Sequence, residues 1–229
     1  EQKLSFPEIF LVLGLMNLVV SFFVFIQVPE FFFRFICWCL AHMLYRVRAE
    51  GRSYIPKQGA ALLVSNHQSF VDWLVIASIT QRPIRFVMHY SFMNIPVIKY
   101  FFMAGKVIPI AGPNESRKVF TRSFELISEE LKQGELVCVF PEGEITRQKQ
   151  MNFFRPGLER VILENNVPIV PIYINGLWGS FFSRSNGKAC SDPKLLMREF
   201  KKEVSVCIGE AFNFENLEDC QRRVGTLGN

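Results

Sequence analysis

The sequence predicts an α/β fold, with a central mixed sheet flanked by helices on both faces and an N-terminal hydrophobic helical hairpin in front of it. After Gly51, short apolar runs alternate with amphipathic stretches, which is typical of an α/β domain. An uncharged apolar segment precedes them. The chain has 229 residues, 49% of them hydrophobic, which suffices for one large domain or for a modest domain with an appendage.

The N-terminal hairpin is predicted from two apolar segments. The first, Ile9–Pro29, carries no charge over its whole length and is long enough to cross about 30 Å of hydrocarbon. The second, Phe31–Val47, contains two arginines and a histidine, which favours an interfacial or returning helix. We therefore expect a membrane-embedded helical hairpin over residues 1–47 and a second domain over residues 48–229. The alternative is a buried hydrophobic hairpin in a soluble protein.

Charge and cysteine patterns exclude several kinds of site. The net charge of +5 is modest and no stacking motif lies among the basic residues, which argues against nucleic acid binding, whereas a bilayer with anionic lipid explains the charge. The six cysteines show no CxxC pair and no histidine at ligand spacing, so we expect neither a metal site nor a disulfide framework. Basic residues around the end of the hairpin favour a cytoplasmic position for the second domain: Arg46, Arg48, Arg52 and Lys57.

The elements of the second domain follow from apolar periodicity. One helix is predicted with Asn114 as its N-cap and an end before Gly134, because Phe120, Phe124, Ile127 and Leu131 recur at helical spacing. The tail after Phe214 is polar, and we expect it to be loosely held. Six strands are predicted: Ala60–Val64, Arg85–Met88, Val107–Ile110, Leu136–Phe140, Ile169–Ile174 and Val204–Ile208.

A polar turn follows the first predicted strand and carries the first candidate site residues, His67 and Asp72. Five residues of helix would leave the two about 140° apart, so they can meet only if His67 lies on the turn before the helix and folds back. The positive end of the helix disfavours an imidazolium there, and Asp72 can hold the Nδ1–H of His67 and so fix its tautomer. Because no GxSxG elbow occurs, the proton that His67 takes would belong to a substrate hydroxyl.

A second strand ends in the turn Phe140-Pro141-Glu142-Gly143. A carboxylate at the carboxyl end of a strand lies where α/β sheets bind ligands. Gly143 allows an unusual backbone angle, and Arg147, shortly after the turn, offers a planar guanidinium for a phosphate. Taken separately, each of the two turns is also compatible with an ordinary structural role.

Four blocks together resemble the glycerophospholipid acyltransferase family. They are Asn66-His67-Gln68-Ser69-Phe70-Val71-Asp72, Gly105-Lys106-Val107-Ile108-Pro109-Ile110, Phe140-Pro141-Glu142-Gly143 and Val167-Pro168-Ile169-Val170-Pro171-Ile172. The resemblance covers about residues 48–210, so that the second domain would be the acyltransferase domain. It implies that His67 is the general base, that Asp72 orients it, and that the block around Glu142 and Gly143 binds the glycerophosphate end of the acceptor. The donor would be an acyl thioester, on acyl carrier protein or coenzyme A, and no metal or organic cofactor is required.

Departures from the family pattern bear on the acceptor. In lysophosphatidate-type enzymes Thr-Arg follows the Phe-Pro-Glu-Gly block at once, whereas here Glu144-Ile145 come first. Those enzymes also usually have an arginine after the second block, where this chain has Ala111-Gly112-Pro113. Phosphate binding would then fall to Lys106, Arg117 or Arg147.

The run from Phe140 to Arg147, together with residues 153–157 and 176–184, looks like the bacterial 2-acylglycerophosphoethanolamine acyltransferases. This resemblance implies lysophosphatidylethanolamine as acceptor and an inner-membrane location facing the cytoplasm. Such proteins are often fused to a lysophospholipid transporter and an acyl-carrier-protein ligase, and a start without Met on a membrane helix is compatible with such a fusion. The alternatives are a lysophosphatidate acyltransferase, a transacylase that draws its acyl group from another phospholipid, and a catalytically silent lysolipid-binding module.

Overall fold

The computed structural model describes residues 5–185 and 187–228. Its centre is a seven-stranded mixed sheet with the strand order β1-β7-β6-β2-β5-β3-β4. Neighbouring strands are parallel except β6 and β7, which pair antiparallel. The strands are β1 Tyr45–Glu50, β2 Ala61–Ser65, β3 Ile84–His89, β4 Ile108–Ile110, β5 Leu136–Val139, β6 Ile169–Asn175 and β7 Lys202–Ile208.

Helices cover both faces of this sheet and so create two apolar cores. Successive side chains of the buried strand β2 point to opposite faces, with Ala61 and Leu63 in one core and Leu62 and Val64 in the other. The first core contains helices α2 and α3, and the second contains α5, α6 and α8. The helices are α1 Phe6–Gln27, α2 Pro29–Leu44, α3 Asp72–Ile79, α4 Pro96–Ala104, α5 Arg117–Lys132, α6 Gly157–Asn165, α7 Pro193–Glu199 and α8 Leu217–Thr226.

The six predicted strands are confirmed, each within two residues at either end. Strand β1 was not predicted, because Tyr45–Val47 read as the end of an apolar helix. Its backbone pairs in parallel with β7, and the Tyr45 hydroxyl donates a buried hydrogen bond of 2.8 Å to Glu199. The expected boundary between residues 47 and 48 therefore falls inside β1.

Two further local predictions were wrong. The N-cap of α5 is Ser116, whose side chain accepts the backbone N–H of Val119, so Asn114 lies outside the helix. The tail after Phe214 is ordered into α8, because Cys220 and Val224 bury one face of that helix against the sheet.

The N-terminal helices differ in their burial. In the described part of the chain, one helical window is long and apolar enough to cross a membrane, namely Phe6–Val24 in α1, with a mean hydropathy of 2.1 and no buried residue. Helix α2 instead buries Phe33, Cys37 and Ala41 on one face, where it packs against α3. The N-terminal apolar segment is thus joined to the sheet domain through α2.

Candidate active site

The candidate site lies at the carboxyl end of β2, where residues 66–71 form a turn before α3 begins at Asp72. Strand β2 has β6 on one side and β5 on the other, so this turn lies near the middle of the sheet edge. The carboxyl edge of the central strands is where α/β sheets place their ligands.

Asn66 fastens the turn to the neighbouring strand. Its side-chain amide donates to the Ile174 carbonyl over 2.9 Å, and its side-chain oxygen accepts the Ile174 N–H over 2.7 Å. Asn66 is buried, so both polar atoms need partners, and β6 supplies both from one residue. These two hydrogen bonds fix the backbone immediately before His67.

His67 folds back from the turn onto Asp72, as the spacing required. Its Nδ1 lies 2.8 Å from Asp72 Oδ2, and its ring stacks on Phe140 with centroids 4.4 Å apart. No described residue bonds to Nε2, and one fifth of the side chain is exposed. Asp72 accepts a hydrogen from Nδ1, which leaves Nε2 as the nitrogen that can accept a proton.

Asp72 is itself held by the turn that it supports. Its Oδ2 also accepts the backbone N–H groups of Gln68 over 2.6 Å and Ser69 over 2.9 Å. Its side chain is fully buried, and Oδ1 has no partner among the described residues. A buried carboxylate with several donors at a helix N-terminus is strongly fixed in place, so the orientation of the imidazole is set before any substrate arrives.

Both carboxylate oxygens of Glu142 accept hydrogen bonds from described residues of this chain. Its Oε1 accepts the backbone N–H of His67 over 2.7 Å, and its Oε2 accepts the Thr146 hydroxyl over 2.6 Å and the Asn152 N–H over 2.8 Å. Burial raises the pKa of Glu142 above its ordinary value, and the hydrogen bonds from Thr146, Asn152 and His67 offset part of that rise. The carboxylate thus joins the two turns to each other.

The turn around Gly143 requires a glycine. Its φ is +70°, and an added Cβ would lie 2.6 Å from Nε of Arg155. Arg155 occupies that space because its Nε donates to the Glu142 carbonyl over 2.9 Å. The unusual backbone angle expected from the sequence is confirmed.

The three basic candidates lie in three different places. Arg147 is exposed and lines an open cleft of about 570 Å³, which we call the Phe70 cleft, next to the His67 turn. Arg117 is the exposed first residue of α5, beyond the end of β4, and does not line this cleft. Lys106 precedes β4 at the opposite edge of the sheet, where its Nζ lies 2.6 Å from Glu30. The structure therefore brings only Arg147 to His67 and Asp72.

Residues outside the predicted set complete the Phe70 cleft. It is lined by Phe70, Arg147, Arg184, Gly187, Lys188 and Ala189. Arg184 and Lys188 come from a loop more than 100 residues after His67, so only the fold shows that they are close. Within residues 5–185 and 187–228, no group of three or more His, Cys, Asp or Glu side chains could hold a metal ion.

Some backbone donors near His67 are already used. N–H groups near the blocks are candidate donors to an oxyanion, but those of Gln68 and Ser69 donate to Asp72 and that of His67 donates to Glu142. They hold the catalytic candidates in position instead.

The sequence of residues 46–175 matches the sequence model of the family described as Acyltransferase. This stretch is more than half of the chain and includes both turns of the candidate site. The chain belongs to the Acyltransferase family.

Several curated relatives of this chain are named as 1-acyl-sn-glycerol-3-phosphate acyltransferases. The chloroplastic 1-acyl-sn-glycerol-3-phosphate acyltransferase LPAT1 of Arabidopsis thaliana is 30% identical over 58% of this chain and 36% of its own length. A 1-acyl-sn-glycerol-3-phosphate acyltransferase of Chlamydomonas reinhardtii is 28% identical over 76% of this chain and 52% of its own length. This chain thus spans between about a third and about half of the length of these two relatives.

A solved structure shows the same fold. The crystal structure of the 1-acyl-sn-glycerophosphate acyltransferase PlsC from Thermotoga maritima superimposes with a TM-score of 0.64 at 20% identity. The match covers 88% of this chain and 75% of that one. It confirms the predicted fold class, a mixed α/β sheet flanked by helices with an apolar N-terminal helix.

Proposed function

We propose that this chain transfers a fatty acyl group from a thioester donor to the free hydroxyl of a lysophospholipid. The observation that carries the proposal is the 2.8 Å contact between His67 Nδ1 and the buried Asp72, at the central carboxyl edge of the sheet. Membership of the Acyltransferase family supports the class of reaction. The donor is acyl carrier protein or coenzyme A carrying the acyl chain, and no further cofactor takes part in the proposed step.

In the proposed step, His67 Nε2 takes the proton of the acceptor hydroxyl while the hydroxyl oxygen bonds to the thioester carbon. The tetrahedral intermediate then collapses, the carbon–sulfur bond breaks, and the leaving thiolate takes up the proton from His67. Asp72 keeps the Nδ1–H in place throughout and stabilises the imidazolium that forms transiently. Glu142 and Asn66 act as positioning residues, because Glu142 accepts the His67 N–H and Asn66 ties the preceding residue to β6.

Lysophosphatidylethanolamine is the first candidate acceptor. It rests on the spacing between Gly143 and Arg147, where two residues separate the Phe-Pro-Glu-Gly block from Thr146-Arg147. Lysophosphatidate is the second, and two observations favour it: the names of the curated relatives, and the three cationic side chains of the Phe70 cleft. Both acceptors carry a phosphate next to the glycerol that bears the free hydroxyl.

A membrane location belongs to the same proposal. Helix α1 exposes an apolar surface along its whole described length, and Arg46, Arg48 and Arg52 follow soon after α2. We place α1 in the inner membrane, with the sheet domain on the cytoplasmic side, where acyl carrier protein and an associated or fused lysophospholipid transporter would be its partners. Carbonate-resistant membrane retention and protease access to the sheet domain from the cytoplasmic side are the expected results.

The experiment offers lysophosphatidylethanolamine and lysophosphatidate side by side to the full chain in vesicles, with acyl carrier protein and coenzyme A donors tested separately. We expect turnover that is lost in His67→Ala. Turnover on lysophosphatidate alone would exclude the ethanolamine acceptor. No turnover on either lipid, with unchanged lysolipid binding in His67→Ala, would exclude the enzyme and favour a lysolipid-binding module.

A further inference from the structure

The Phe70 cleft carries an excess of positive charge. Among the residues that the structure describes, its lining contains three cationic side chains, Arg147, Arg184 and Lys188, and no carboxylate. No ion pair joins any of the three to an acidic residue in the parts of the chain that the structure describes. Three cations with no neutralising partner in one cleft attract an anion and repel one another when it is empty.

Two backbone connections hold the chain next to Arg147 and Arg184 against the turn of His67. On one side, the Thr146 N–H donates to the His67 carbonyl over 2.8 Å, one residue before Arg147. On the other side, Ser183 forms a bridge with Ser69, and the Phe70 N–H donates to the Phe182 carbonyl over 3.0 Å. Arg147 and Arg184 therefore each follow a residue that is bonded directly to the turn of His67.

Further contacts hold Trp178 and Arg184, which both follow β6, against the same turn. The Trp178 N–H donates to the Gln68 side chain over 3.0 Å, and the guanidinium of Arg184 lies 5.3 Å from the ring centroid of Phe70. The Gly187 N–H donates to the Arg184 carbonyl over 3.2 Å, and Lys188, the next residue, lines the same cleft as Arg184. The position of Arg184 is thus set by the candidate catalytic turn itself, and Lys188 lines the same cleft.

The chemistry of the lining indicates a phosphate. Guanidinium groups bind phosphate oxygens through paired N–H donors, and an ammonium adds a compact point charge. A phosphate held there would lie next to the turn that carries His67, which is where the head group of an acceptor must lie if its glycerol hydroxyl is to reach Nε2. Lys106 and Arg117, the other phosphate candidates of the sequence, lie outside this cleft.

We propose that Arg184 and Lys188, with Arg147, form the binding site for the head-group phosphate of the acceptor lipid, and so make that phosphate a requirement for efficient transfer. This inference rests on the proposed function. It adds two residues from outside the four sequence blocks to the recognition of the acceptor.

The test uses Lys188→Gln and Arg184→Gln in the full chain, with Lys132→Gln as the matched control. Lys132 is an exposed lysine at the end of α5, outside the cleft. The acceptors are lysophosphatidylethanolamine, lysophosphatidate and an uncharged monoacylglycerol. We expect each cleft variant to raise the KM for the two phosphate-bearing acceptors by about tenfold, because each removes one charge-assisted contact. The KM for the thioester donor, the rate with monoacylglycerol and the behaviour of Lys132→Gln should not change.

Three results would overturn the inference. The first is an unchanged KM for both phosphate-bearing acceptors in Lys188→Gln, which removes no contact with the turn. The second is a raised KM for the donor alone, which would assign the cleft to the phosphate of the donor's pantetheine arm. The third is an equal loss with monoacylglycerol, which would show a structural effect on His67.

A binding measurement separates this inference from the proposed function. Titration of the full chain with glycerol 3-phosphate, followed by NMR, needs no turnover. If no acceptor reacts but the phosphate binds in a manner that Lys188→Gln weakens about tenfold, the proposed function fails and the cleft assignment stands. If the lipids react but glycerol 3-phosphate does not bind, and the cleft variants transfer acyl groups as wild type does, only the cleft assignment fails.

Discussion

Two histidines of this chain face a carboxylate at the carboxyl edge of the sheet, and only one of them combines a buried carboxylate with a ring nitrogen that no described residue bonds. His67 Nδ1 lies 2.8 Å from Asp72, and His89 Nε2 lies 2.8 Å from Glu115. The side chains of the first pair are 20% and 0% exposed, whereas those of the second are 41% and 51% exposed. A distance between two groups therefore does not distinguish the pairs, but their surroundings do.

The free ring nitrogen is the second difference. His89 uses both nitrogens, because its Nδ1 also lies 2.8 Å from the Ser91 hydroxyl. His67 uses Nδ1 for Asp72, and no described residue bonds to its Nε2. A base needs one nitrogen fixed by a buried acceptor and the other open to substrate, and only His67 combines the two.

The largest expected effect comes from removing each histidine. His67→Ala should lower kcat about 10³-fold, because it removes the proposed base, whereas His89→Ala should stay within about twofold of wild type. Steady-state acyl transfer on both variants gives the comparison. An equal loss of kcat in the two variants would mean that burial of the histidine–carboxylate pair does not decide which histidine takes part in the reaction.

Removing the carboxylate charge from each pair should have the next largest effect. Asp72→Asn turns an acceptor toward Nδ1 into a potential donor, which favours the wrong tautomer of His67 and should lower kcat about 10²-fold. Glu115→Gln, on the exposed pair, should leave kcat unchanged. Measuring kcat and KM separately distinguishes the loss of the correct His67 tautomer from a defect in substrate binding. A change in KM alone in Asp72→Asn would contradict the orienting role of Asp72.

Sequence alone predicts the part of this site that is local in the chain and not the part that depends on long-range contacts. His67 and Asp72 are close in the chain, so their spacing and the helix start predict the pair. The bond from Glu142 to the His67 N–H joins two loops 75 positions apart, and no local pattern reports it. Lys106 is a phosphate candidate on sequence alone, but in the fold it precedes β4 at the opposite edge of the sheet and pairs with Glu30.

The fold shows the same limit. Six strands were predictable because each is a short apolar run between turns; β2 and β5 are buried on both faces, and β7 buries alternate residues. Strand β1 was not, since its pairing with β7 bridges more than 150 residues and its first residue, Tyr45, continues an apolar helix. Arg184 reaches the candidate site in the same way, through the long-range contact of Ser183 with Ser69.

A smaller effect should come from the hydroxyl that supports Glu142. Thr146→Val removes a buried donor to a carboxylate and should lower the free energy of unfolding by about 2 kcal/mol. Thr226→Val removes an exposed hydrogen bond to the Arg223 carbonyl and should change stability little. Chemical denaturation measures both. A loss in Thr226→Val as large as that in Thr146→Val would contradict the role given to burial.

The smallest expected effect is on stability, which should depend on pH in opposite directions for Glu142 and Glu115. Burial raises the pKa of Glu142, so wild type should gain stability relative to Glu142→Gln as the pH falls toward the ordinary glutamate value. Hydrogen bonds from His89 and Gly112 lower the pKa of Glu115, so wild type should lose stability relative to Glu115→Gln as the pH falls through that lowered value. Melting temperatures across this pH range test both signs, and parallel trends would show that the two carboxylates do not differ in this way.

The central claim is that Asp72 holds the Nδ1–H of His67 and leaves Nε2 free to accept a proton. Nitrogen-15 NMR of the histidine rings in the full chain tests it most directly, with His67→Ala and His89→Ala to assign the signals. With the ring uncharged, His67 should show a protonated Nδ1 and an unprotonated Nε2, and Asp72→Asn should reverse that preference. A His67 that carries its proton on Nε2 in wild type would contradict the account.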